Sequence, residues 1–163
     1  MKQYFFSLLL MILSAIQLSA QVPTAILPEF QFSRLDQSAF TNKELPQGKT
    51  LFFVFFDPGC EHCQRTIKYI DKHCPLLNKT CMYLVSMDKT EKIAQFIATY
   101  GAHLRGRKNV LILQDRLYQF ITKFKPKKYP SMFLYSAKKK LLDYSDDETK
   151  VPRFIDAINK KGK

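Results

Sequence analysis

Two cysteines three residues apart, Cys60 and Cys63, have the types and spacing best suited to chemistry in this chain. They follow an apolar run, Leu51 to Phe56, and a turn, Asp57-Pro58-Gly59. They open a helical pattern that reaches His73, with Ile67 and Ile70 at helical spacing. On the first turn of a helix this spacing puts both sulfurs on one side, within reach of a disulfide. Cys60 would sit at the helix N-terminus, where unpaired backbone N–H groups and the positive end of the dipole favour a thiolate. His62 adds a cation when protonated, whereas Glu61 works the other way, since a nearby anion holds a thiol neutral. The pattern suits thiol–disulfide exchange, with Cys60 attacking and a more buried Cys63 resolving the mixed disulfide.

The same spacing also occurs in structural disulfides and in zinc sites. Zinc asks for four ligands, and the chain has no second Cys-x-x-Cys. His73, Cys74 and Cys81 could be recruited, but their spacing fits no common structural module, so no metal site is expected. Cys74 and Cys81 close an eight-residue loop. In an oxidising compartment they are expected to form a structural disulfide worth about 2–3 kcal/mol. Two buried free thiols, or a second dithiol relaying electrons to Cys63, are the alternatives. Asp143, Asp146, Asp147 and Glu148 follow the last strand and read as a solvated turn. His103 is assigned no role.

The elements that must hold the pair alternate. Leu51 to Phe56 reads as a central strand covered on both faces. Met82 to Met87, Val110 to Leu113, Met132 to Tyr135 and Leu141 to Tyr144 read as further strands, the last two as a hairpin around the Lys-rich turn Ala137 to Lys140. Helices are expected from Cys60 to His73, from Glu91 to Tyr100, over the short stretch Leu117 to Phe124, and after Pro152. Phe30 to Thr50 reads as a short strand, a connection and a turn. Strands alternating with helices argue for an α/β layered fold.

The first twenty residues have the order of a secretory signal. Lys2 precedes an apolar run from Tyr4 to Ile16, and Gln17-Leu18-Ser19-Ala20 ends on a small residue. Cleavage after Ala20 would place the rest outside the cytoplasm, periplasmic or secreted; an uncleaved membrane anchor is the other reading. Residues 21–29 are expected to be an extended leader. The 163 residues carry a net charge of +12, and the charge without Lys2 is +11. Few aromatics interleave with the lysine runs, so no nucleic-acid partner is expected. Those runs read as solvated surface, with an acidic partner or an anionic membrane surface as the functional alternative. Fourteen Phe and eight Tyr argue against a disordered chain, and a single long apolar run excludes a multi-span membrane protein.

Phe55-Phe56-Asp57-Pro58-Gly59-Cys60-Glu61-His62-Cys63 resembles the active-site corner of thioredoxin-like proteins. The segment Phe30 to Lys49 is similar to the N-terminal extension of the TlpA-type branch, secreted or membrane-tethered thiol-disulfide oxidoreductases. The resemblance implies a thioredoxin-like domain over residues 30–163, with a central mixed sheet flanked by helices on both faces. It also implies that Tyr129-Pro130, just before a strand, is the family's cis-proline position and helps to hold the substrate chain. Three departures stand out. Gly59 replaces the family's Trp before the first Cys, and Val54 stands where classical thioredoxins bury an acid. Tyr129 is bulky for its place. His62 matches the His of strongly oxidising members, whose motif is Cys-Pro-His-Cys, although Glu61 is not their Pro.

The resulting expectation is a thiol-disulfide oxidoreductase outside the cytoplasm, running as a reductase on protein disulfide or dithiol substrates. Cys60, Cys63 and His62 would form its catalytic set. It would need no cofactor, act as a monomer and draw on a membrane electron donor. Rival readings are a copper- or metal-binding thioredoxin-like module and a non-catalytic, disulfide-stabilised binding domain. A thiol peroxidase is disfavoured: that family places a Pro and a Thr or Ser ahead of its reactive Cys, and Phe53 and Phe56-Asp57 supply neither.

Overall fold

The computed structural model describes residues 22–161. The expected secretory signal at residues 1–20 lies outside the described residues. Among the described residues, no helix is long and apolar enough to cross a membrane.

Seven strands form one mixed sheet in the order β2-β1-β5-β4-β3-β6-β7. The strands are β1 (Gln31–Arg34), β2 (Ala39–Thr41), β3 (Thr50–Phe55), β4 (Thr80–Ser86), β5 (Val110–Gln114), β6 (Ser131–Tyr135) and β7 (Leu141–Ser145). Three helices, α1 (Glu61–Lys72), α2 (Thr90–Tyr100) and α3 (Val151–Lys161), pack on one face. β3 runs parallel to β4 and antiparallel to β6, with Val54 opposite both Leu84 and Met132. Being central, β3 is buried on both sides, which is why its sequence does not alternate.

The pleat sorts those side chains into two cores. Phe52 and Val54 point to the helix layer and meet Ile67 and Ile70 of α1, Phe96 of α2 and Phe154 of α3. Burying each such side chain contributes about 2 kcal/mol. Leu51, Phe53 and Phe55 point the other way, into an aromatic core with Phe30, Phe32, Phe120, Phe124 and Phe133. Phe55 stacks on Phe120 with centroids 4.3 Å apart, and Phe120 stacks on Phe124 at 4.1 Å.

The second face is thinner than expected. The stretch foreseen as a helix over 117–124 is a loop followed by a single π-helical turn, Phe120–Phe124. The buried Asp115 carboxylate holds its start, accepting from the Gln119 and Phe120 backbone N–H groups at 3.0 and 2.6 Å. The leader covers the rest. It is not a free tether: Leu27 is buried, the Leu27 N–H donates to the Lys139 carbonyl at 2.9 Å, and Ile26 bridges Lys140. Residues 30–50 supply two strands rather than one, since Ala39–Thr41 folds back on β1 and buries Phe40.

Candidate active site

The corner between β3 and α1 is built by hydrogen bonds that its sequence can make locally. The Asp57 carboxylate accepts from the Gly59 N–H at 2.7 Å, and the Cys60 N–H donates to the Asp57 carbonyl at 3.1 Å. Asp57 thus closes a turn on its own backbone. Cys60 is the N-cap residue, extended at φ −88° and ψ 118°, and its carbonyl accepts the first helical bond from Gln64. Cys60 is half-buried, whereas Cys63, one turn into α1, is fully buried in the helix-side core.

The Asp57 backbone N–H donates to the Cys63 sulfur at 3.5 Å. Burial pushes the Cys63 thiol far above its ordinary range. The Asp57 N–H works against that shift, and the Cys60 thiol and the Asp57 charge add to it. Val54, at the position of the classical buried acid, is fully buried and apolar. Asp57, three residues before Cys60, supplies a carboxylate on the strand side of this corner. It lines a cavity of about 570 Å³ with Pro58, Asp88, Lys92, Phe96 and Tyr100.

Ser131 pairs with Phe55, which places Pro130 beside the end of β3 and next to the corner. The Tyr129–Pro130 peptide is cis. The Tyr129 ring packs on Phe55 with centroids 4.8 Å apart. Burial, then the negative charge of Asp57, pushes its phenol up to about 12, so it stays a hydrogen-bond donor. Tyr129 and Pro130 share a cleft of about 290 Å³ with His62, Asp147 and Glu148. The structure therefore brings Cys60, Cys63, His62, Tyr129 and Pro130 to one end of the sheet, although they span 71 positions of chain.

Glu148 was not foreseen. The turn after β7 swings it against α1, where both carboxylate oxygens accept from Arg65 Nε at 3.1 Å. His62 Nδ1 lies 3.1 Å from Glu148 and 2.9 Å from an Arg65 nitrogen. With the ring neutral and its proton on Nε2, Arg65 donates to Nδ1; with the ring protonated, Nδ1 donates to Glu148. Burial opposes ionisation of Glu148, but hydrogen bonds from Arg65 and His62 outweigh it and hold the carboxyl below its ordinary range. The sequence signal was the His62-to-Arg65 spacing, which puts two basic side chains on one face of a helix without saying what meets them.

The expected Cys74–Cys81 disulfide is not formed, and all four cysteines are free. Cys74 is buried in the helix-side core, whereas Cys81 packs against the aromatic core on the opposite face of the sheet. The side chains are separated by the sheet itself, so the short loop between them brings no sulfurs together. Among the described residues, no group of three or more His, Cys, Asp or Glu is placed to hold a metal ion. His103 pairs with Asp71 at 2.7 Å on the surface.

The AhpC/TSA family profile matches residues 23–143. The chain belongs to the AhpC/TSA family, and its fold is that of thioredoxin-like thiol-disulfide oxidoreductases. One similar solved structure is a secreted Mycobacterium tuberculosis disulfide oxidoreductase homologous to E. coli DsbE. It has 15% identity and a TM-score of 0.65, and the match covers 78% of this chain and 95% of that one. A second is MTB DsbF in mixed oxidised and reduced forms, with 18% identity, a TM-score of 0.66 and coverage of 84% and 99%. A third is a SCO1/SenC family lipoprotein from Bacillus anthracis, with 18% identity, a TM-score of 0.65 and coverage of 86% and 98%. No curated protein matches the chain.

Proposed function

We propose that this protein exchanges disulfides with protein substrates outside the cytoplasm, as a reductase, through Cys60 and Cys63. The observation that carries the reading is a half-buried Cys60 at the N-cap of α1, with a fully buried Cys63 in the next turn that accepts from the Asp57 N–H, beside the cleft lined by His62, Tyr129 and Pro130. The Cys60 thiolate attacks one sulfur of a substrate disulfide and expels the other as a thiolate, giving a mixed disulfide. Cys63 then loses its proton and attacks the Cys60 sulfur. The Cys60–Cys63 bond forms, the second substrate sulfur leaves as a thiolate, and two electrons have passed to the substrate. Sustained reduction calls for a donor that returns two electrons to the pair, which fits an electron-donating membrane partner.

Asp57 fits the role of proton acceptor for Cys63. Its backbone already contacts the sulfur, and its carboxylate opens onto the cavity. Tyr129 and Pro130 would hold the substrate chain beside Cys60, with His62 kept in place by Arg65 and Glu148. A peroxide-reducing reading meets Phe56 and Asp57 where a hydroxyl side chain would be needed.

Equilibration in glutathione buffers of graded potential, with free thiols alkylated and read by mass peptide by peptide, tests the reading. Cys60 and Cys63 are expected to titrate together between roughly −270 and −120 mV, the span of known exchange proteins. A pair that stays oxidised below about −300 mV behaves as a structural disulfide and overturns it.

A further inference from the structure

Two lysine-rich stretches take no part in the redox site, one ending the π-helical turn and one forming the β6–β7 turn. They are separate in sequence, yet the fold sets them on either side of the segment by which the chain enters the domain. The Thr24 N–H donates to the Phe124 carbonyl at 3.4 Å, and its hydroxyl donates to the Lys123 carbonyl. Three residues on, the leader bonds to Lys139, and the Leu141 N–H donates back to the Ala25 carbonyl at 2.8 Å. Lys123, Lys125, Lys138, Lys139 and Lys140 are all exposed there. None of them forms an ion pair with a described carboxylate. The β6–β7 turn contains no acidic residue, the loop into the π-helical turn contains one, the fully buried Asp115, and the leader contains one, Glu29.

Apolar exposure collects on the same elements. Val22 and Ile26 of the leader are 68% and 54% exposed, and Ile121 of the π-helical turn is 40% exposed. Leu117 and Tyr118, on the loop into that turn, are 67% and 60% exposed. Of the seven large apolar side chains that the described residues leave exposed, Val22, Ile26 and Ile121 border the lysines, whereas Leu117 and Tyr118 follow the end of β5 that is level with Phe55.

We propose that this face docks on an anionic phospholipid surface, with the five lysines against lipid phosphates and Val22, Ile26 and Ile121 in the interfacial layer. Exposed lysine ends around aliphatic side chains suit a fluid, negatively charged plane. The segment that precedes Val22 includes the apolar run Tyr4 to Ile16. A bilayer that takes up that run receives the domain by this face. The redox corner lies at the other end of the sheet: Ser131 pairs with Phe55 there, whereas Tyr135, beside the lysine turn, pairs with Leu51. A domain docked in this way leaves Cys60 open to substrate.

The test places the full chain on vesicles of phosphatidylcholine, alone or mixed with phosphatidylglycerol, and reads the acetylation rate of each lysine by mass. Residues 4–16 can hold the chain on either vesicle, so the comparison between them separates docking from tethering. Lys72 and Lys92, on helices of the opposite face, are internal references. On phosphatidylglycerol the five lysines are expected to acetylate at least about tenfold more slowly, with the free rate restored at high salt. Each lysine near such a surface contributes about fivefold, so Lys125→Gln with Lys139→Gln should lower the docked-to-open ratio about 25-fold. Thermal melts of that variant check that its fold is intact. Unchanged rates on phosphatidylglycerol overturn the proposal, as does equal slowing on phosphatidylcholine alone. Slowing that requires an added acidic polypeptide also overturns it and assigns the face to a protein partner.

Discussion

Replacing Asp57 by Asn tests where the proton of Cys63 goes. The substitution is nearly isosteric: Asn keeps a side-chain oxygen to accept from the Gly59 N–H, and the backbone N–H that contacts the Cys63 sulfur is untouched. Only the ability to take a proton is removed. An ordinary thiol at the reference value of 9.0 is about 1% ionised at neutral pH, and burial drives Cys63 lower still. A base that makes up at least that deficit is worth about 100-fold, the lower end for positioned proton transfer, or about 2.7 kcal/mol of barrier. The assay mixes the reduced protein with a disulfide-bonded peptide, quenches with acid at successive times and counts mixed disulfide by mass. In the variant the Cys60 adduct should accumulate, and its resolution should slow about 100-fold. The resolution rate should also acquire a first-order dependence on hydroxide across neutral pH that the wild type lacks. Resolution at the wild-type rate with the wild-type pH profile would refute the assignment of Asp57. Failure of the wild type to reduce the peptide disulfide would instead refute the exchange reaction itself.

Glu148→Gln leaves Arg65 and His62 without their anion beside Cys60, so iodoacetamide should alkylate Cys60 several-fold faster at neutral pH, and an unchanged rate would remove Glu148 from the site. Because the folded Cys63 thiol ionises above its unfolded value of 9.0, its contribution to stability is complete below that pH and is lost as pH rises towards the folded value. The stability of the reduced protein relative to its Cys60–Cys63 disulfide form should therefore fall by about 1 kcal/mol between pH 9 and 10 in urea titrations, and a pH-independent difference would contradict the burial argument. Phe124→Ala empties the centre of the aromatic core, where Phe124 meets Phe120, Phe133 and Tyr135, and should cost about 3–5 kcal/mol by denaturant titration.

Much of the fold was legible because its signals are local. The unbroken run Leu51 to Phe56, rich in strand-forming residues, suits a doubly covered strand, and the turn after it opens a helical pattern. The corner's residues, and Tyr129-Pro130 ahead of β6, were likewise visible one by one. What escaped depends on faces and on distant chain. β2 is three residues long, too short to show alternation. The 117–124 stretch has helical composition, but its apolar residues serve a crowded aromatic core that a single π-helical turn fills. Cys74 and Cys81 part by strand parity. Met82 and Leu84 face the helices, so Cys81, one residue away on β4, faces the other side, whereas Cys74 follows a helix of the first side. Glu148 had no signal at all, since only the crossing of the β7 turn over α1 makes it a partner of Arg65 and His62.

Val54 and Asp57 together change how the corner answers to its surroundings. An acid at position 54 would sit inside the helix-side core, where ionising it costs stability and links folding to pH. With Val there, β3 is apolar throughout its centre and the core carries no such link. The carboxylate at position 57 is half-buried at the sheet's end and opens onto a cavity that Lys92 and Asp88 also line. Proton transfer from Cys63 then depends on the contents and charge of that cavity rather than on the core. Neutralising Lys92 should therefore move the pH profile of resolution without lowering global stability, a separation that a buried acid could not give.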